Sequence, residues 1–127
     1  SYAVTEWTKT GSFVRQIAGG SVITDGRGIA YSRSAQQLYV TVLGTSSAYF
    51  QLLRMNPSSG AVINQTTFVY GNDIAVRADG SIAVGSRTQV PMAFDATLNP
   101  IGFIGASSRM FVSVMPEPLF QFRDGFD

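Results

Sequence analysis

Eight carboxylates carry the acid–base capacity of this chain: Glu6, Asp25, Asp73, Asp79, Asp95, Glu117, Asp124 and Asp127, with no histidine and no cysteine beside them. A pair of carboxylates can in principle hydrolyse a glycosidic bond. Without histidine the usual general base and a serine triad are missing, and without cysteine so are thiolate catalysis, disulfides and Cys-rich zinc sites. Asp79 precedes Gly80, and Asp95 ends an apolar run, so both are expected to shape turns. Ala78-Asp79-Gly80-Ser81 is expected to form a two-residue hairpin turn with positive φ. Glu6 is expected on a strand surface beside a buried Trp7 indole. Five positions are set apart by where they stand. Asp25 and Arg27 precede one apolar run, Asn72 and Asp73 the next, and Arg109 a third. If these loops converge, the arginines would clamp a carboxylate or phosphate, and Asp25 with Asp73 would offer oxygens to Ca²⁺. The plainer alternative is that Arg and Asp pair with each other and tie the loops together. No bound cofactor is expected otherwise, and Tyr49 and Tyr70 are possible contact residues near loops.

Short strands must position these residues. The 127 residues fit one domain, and a net charge of +1 gives no field favouring nucleic acid or an anionic membrane. Branched and aromatic residues favour strands, and no apolar run reaches the 18 or so residues that span a bilayer. Period-2 segments separated by turn residues predict a hairpin over 4–8 and 13–17. Four strands follow over 28–31, 38–42, 49–55 and 61–69. A shorter copy then covers 73–76, 82–85, 91–95 and 99–104, and two last strands cover 110–114 and 119–122. No 3.6-residue period is sustained, so no helix is expected. Corresponding positions recur at intervals near 42 residues: Ile29 and Ile74, or Trp7, Met55 and Phe94. That is the length of a four-stranded propeller blade.

The segments RGIAY…LYVT followed by LLRMNPSSGAV, and DIAVRADGSIAVGS followed by MAFDATLNPIGFIG, resemble blades of the NHL- or YVTN-type β-propellers. The resemblance implies an all-β domain over 1–127 of four-stranded antiparallel blades, about three per chain. Ligands bind at one face of the ring in that family, where loops carrying Asp25, Arg27, Asn72, Asp73 and Arg109 would meet. Three blades are below the four a propeller normally needs. The ring is therefore expected to close by homodimerisation, with the last strand pair of one chain completed by the first hairpin of the other, or by the remainder of a longer propeller. The ending Phe122-Arg123-Asp124-Gly125-Phe126-Asp127 is similar to the FxDGFE tail of many secreted gammaproteobacterial proteins, which implies export from the cytoplasm. The expected function is non-enzymatic binding of a protein or small ligand. A carboxylate- or calcium-dependent lyase, lactonase or hydrolase is the alternative, and a structural piece of a larger propeller is another.

Overall fold

A computed structural model describes residues 2–43, 49–68, 73–85 and 90–104. Among them are ten strands and no helix, in antiparallel sheets of two, four and four strands. The hairpin pairs β1 (Val4–Trp7) with β2 (Phe13–Ala18). The middle sheet runs in chain order through β3 (Gly26–Ser32), β4 (Gln37–Leu43), β5 (Phe50–Met55) and β6 (Val62–Phe68). The third sheet repeats that order with β7 (Asp73–Val76), β8 (Ile82–Gly85), β9 (Met92–Phe94) and β10 (Pro100–Phe103). The strand bounds read from the sequence agree to within about two residues, and the sheet partition is the expected one. The last two expected strands lie outside the described residues.

The layers stack because the middle sheet is apolar on both faces. Tyr39, Phe50 and Leu52 point one way and pack with Ile74, Ile82, Val84, Phe94 and Leu98 of the third sheet and its turn. Leu38, Val40, Val42, Leu53 and Met55 point the other way, onto Val4, Ala18 and Ile23. Pairing keeps the two sets apart: Val40 lies opposite Leu53 and Leu38 opposite Met55 on one face, with Thr41 opposite Leu52 on the other. A one-residue slip would exchange the faces, so two-sided burial fixes the register. The unbroken run Leu38-Tyr39-Val40-Thr41-Val42, buried throughout, is what a strand covered on both sides requires. The first strands of the two four-stranded sheets, β3 and β7, touch directly.

Turn chemistry repeats with the sheets. Thr8–Ser12, Arg77–Ser81 and Asp95–Asn99 are each closed by a hydrogen bond from the first residue's N–H to the last residue's carbonyl, and each has its fourth residue at positive φ: Gly11, Gly80 and Leu98. Asp79 is not in the left-handed region, which corrects the expected two-residue turn. The loop has three residues, a type I turn followed by a left-handed residue, so only Gly80 needs the unusual backbone. At Leu98 the same position is held by a buried leucine whose side chain joins the core, offsetting a conformational cost of about 1–2 kcal/mol.

Side chains also grip across layers. Arg15 on β2 donates to the carbonyls of Pro57 and Ser58 in the turn after β5, the second at 2.7 Å. Asn64 on β6 donates to Thr97 O at 2.8 Å, in the turn after β9. Each donor stands four residues past the left-handed residue of its own hairpin, Gly11 and Gly60. The Tyr39 hydroxyl adds a bond to Ala96 O at 2.8 Å, and burial pushes its pKa up against the opposing pull of Arg54. Gly60 sits so close to β2 that a Cβ there would lie 2.0 Å from Ile17 O, at φ +75°.

Gly60→Ala is therefore expected to cost more than about 2 kcal/mol, because left-handed strain adds to a clash that backbone must relieve. Gly11→Ala, at φ +90° with open space around it, is expected to cost only about 1–2 kcal/mol. Urea denaturation of the two variants checks the difference.

Candidate functional site

Asp25 and Arg27 form one local pair. Arg27 Nη2 donates to Asp25 Oδ2 at 3.0 Å, and the pair is partly exposed, so screening leaves it a small contribution. Strand β3 begins at Gly26, so Arg27 lies within the strand where a loop position is expected. The register shifts between Gly26 and Gly28, which makes Arg27 the extra residue of a bulge. The carbonyl of Asp25 accepts from Leu43 N at 2.9 Å, and Thr24 Oγ1 donates to Leu43 O at 3.0 Å, tying this entry to β4. Asp25 Oδ1 is buried with no hydrogen-bond donor among the described residues.

Asp73 opens β7, and its Oδ1 accepts from the N–H of Ile74 at 3.0 Å. Asn72 and Arg109 lie outside the described residues, as does Tyr70. The cluster is thus described in part: an Asp–Arg pair at one strand entry and an aspartate at the start of the strand packed beside it. Among the described residues no three carboxylate, imidazole or thiol ligands gather. Calcium takes six to eight oxygens, and the described part of this cluster supplies two carboxylates, one of them paired with an arginine.

Two other carboxylates, Asp95 and Asp79, shape turns. Asp95 Oδ1 accepts from the N–H groups of Thr97 and Asn99, both at 2.9 Å, and from Thr97 Oγ1 at 2.8 Å. These bonds, led by the Asn99 N–H, lower its pKa to about 2. Asp79 is lowered in the same way, by Ser81 above all. Glu6 meets Arg15 at 2.8 Å and is exposed.

The sequence reading missed the apolar surface at the hairpin end of the stack. Trp7 is 57% exposed where a buried indole is expected, and its ring makes an edge contact with Phe13, also exposed. Trp7 corresponds to Met55 and Phe94, each the last residue of its strand before a turn, which are 0% and 2% exposed. Ile29 and Tyr31 on β3 are 53% and 47% exposed, whereas Ile74, the counterpart of Ile29 on β7, is 6% exposed. The difference has one cause. Ile74 and Val76 face the middle sheet, whose first strand β3 lies against β7. Ile29 and Tyr31 face the hairpin, which has two strands and covers only the β4–β5 half of that face. A groove of about 340 Å³ remains, walled by β1 and Arg15 and floored by Ile29, Tyr31 and Leu38. Among the described residues β1 pairs only with β2, leaving its other edge beside the groove open.

No family model matches this chain, and no curated protein or solved structure does so either.

Because the folded pKa of Asp95 lies near 2, below the ordinary carboxylate range, its ionisation stabilises the fold above about pH 4, and this is lost as pH falls through about 2. Urea midpoints measured from pH 5 to pH 2 are expected to fall more steeply for the wild-type chain than for Asp95→Ala.

Proposed function

We propose that this chain is a non-enzymatic interaction module built of β-propeller blades. The observation that carries the reading is the apolar strip of Ile29 and Tyr31 beside the open edge of β1, with Trp7 and Phe13 exposed on the same hairpin. An exposed apolar strip flanked by a free strand edge suits a partner that adds strands. Two four-stranded meanders stacked face to face, with their first strands in contact, support blades as the architecture. The repeated turns and cross-layer donors support it further. In this reading Asp25 and Arg27 hold the entry to an inner strand, with the loops of Asn72, Asp73 and Arg109 on the same face of the ring as a second, polar contact region. The resemblance of the C-terminal residues to secreted tails supports export from the cytoplasm. No helix among the described residues is long and apolar enough to cross a membrane.

Two measurements test this. A monomeric chain is expected to enhance the fluorescence of the apolar dye ANS, and Ile29→Ser with Tyr31→Ser to remove most of that signal. A monomer without strip-dependent binding overturns the reading. Millimolar calcium is expected to leave the thermal midpoint unchanged, whereas a rise of several degrees would favour the calcium-dependent enzyme instead.

A further inference from the structure

The hairpin lies over β4 and β5 and leaves only β3 of the middle sheet open beside β1. The space there is one strand wide, since neighbouring strands of a sheet stand about 4.8 Å apart. It runs the length of β1. At one end Tyr2 and Ala3 face Gly26, Arg27 and Gly28 across about 310 Å³, and at the other Trp7 faces Tyr31 and Leu38 across the groove described above. β1 and β3 therefore run in the same direction along it.

Two rows of groups line this space. Thr8 turns its N–H to Ser12 O across the hairpin, so strand alternation turns the N–H and C=O of Thr5 and Trp7 toward the open edge. The floor is the exposed side of β3, where every second residue is exposed: Arg27, Ile29 and Tyr31. An extended chain laid over them repeats its own side chains at the same interval of about 7 Å. Charge then distinguishes the two ends. Arg27 lines the space and Asp25 does not, and among the described residues Arg27 makes one hydrogen bond, through Nη2 to Asp25 Oδ2. Its other guanidinium N–H groups are left for a second carboxylate. At the Trp7 end, Glu6 is neutralised by Arg15, which also holds the carbonyls of Pro57 and Ser58.

We propose that the groove binds one extended segment of another protein, added as a strand antiparallel to β1. Every pairing in the described sheets is antiparallel, and that ladder is the more stable one. The segment's C-terminal end then lies at Arg27. Read from N to C terminus, it carries an apolar side chain over Tyr31, a second over Ile29 two residues on, and an acidic side chain over Arg27 two residues further. Backbone bonds to the edge of β1 supply affinity, and the row on β3 supplies specificity. This proposal rests on the interaction-module reading and names the partner's chemistry.

The probe is the peptide acetyl-SVTISE-amide, titrated calorimetrically into the whole chain. Binding in the micromolar range is expected, because a contact this short belongs with small, transient interfaces. Ile29→Ser with Tyr31→Ser, on exposed positions that leave the circular dichroism unchanged, is expected to weaken it at least about 30-fold. Arg27→Gln is expected to weaken it about three- to fivefold while leaving the affinity for acetyl-SVTISQ-amide unchanged. The reversed peptide, acetyl-ESITVS-amide, is expected to bind at least about tenfold more weakly, and a form methylated on its backbone nitrogens not at all. Equal binding of the reversed peptide, binding that survives the serine changes, or an Arg27→Gln effect that does not distinguish the two peptides would overturn the proposal. So would a wild-type dimer that the serine changes dissociate, since a second copy then fills the groove. Strip-dependent ANS binding without peptide binding ends the strand-addition proposal and leaves the module reading standing; a monomer lacking both ends both.

Discussion

Everything in this molecule depends on a sheet with two apolar faces having a neighbour on each. Strand β4 buries Leu38, Val40 and Val42 toward the hairpin and Tyr39 toward the third sheet, so it gains its stability only when both layers are in place. Neither the hairpin nor a single meander could exist as drawn without the others, since each would expose a row of large side chains to water. The same requirement explains the exposed residues. Ile29, Tyr31 and Trp7 are chemically like their buried counterparts and occupy like positions. They differ in having no layer over them among the described residues.

Polar contacts then decide how the layers sit on one another. Apolar packing is tolerant of sliding, whereas the hydrogen bonds from Arg15 to the turn after β5, and from Asn64 and Tyr39 to the turn after β9, have one geometry. The turns that accept these bonds are held in shape by their own left-handed residues and, in one case, by Asp95. A carboxylate that a catalytic reading would single out thus acts as a staple for a hairpin that the preceding layer grips.

The fold class and sheet partition were legible in the residues because period-2 patterning and glycine-bearing turns are local signals. Ile29 and Ile74 could be aligned by eye, as could Trp7, Met55 and Phe94. What could not be read was exposure, since whether Trp7 is covered depends on strands far away in the chain or on another molecule. Local backbone was also partly hidden. Gln36 and Leu98 adopt positive φ without being glycine, and nothing in their side chains announces it. Asp-Gly at 79–80 suggested a tighter turn than the one formed, because a pair of residues does not fix loop length. Of the candidate polar cluster, the pairing of Asp25 with Arg27 was foreseeable from their spacing, whereas the bulge that places Arg27 inside β3 was not.

The cross-layer donors have a further implication for how the stack comes apart. The position four residues past Leu98, equivalent to Arg15 and Asn64, is Gly102, whose φ of +151° suits no side chain. The grip that joins the hairpin to the middle sheet, and the middle sheet to the third, therefore has no counterpart on β10. Among the described residues, the hydrogen bonds between layers thus sit at the two internal boundaries, and a layer must break them before its apolar face can leave its neighbour's.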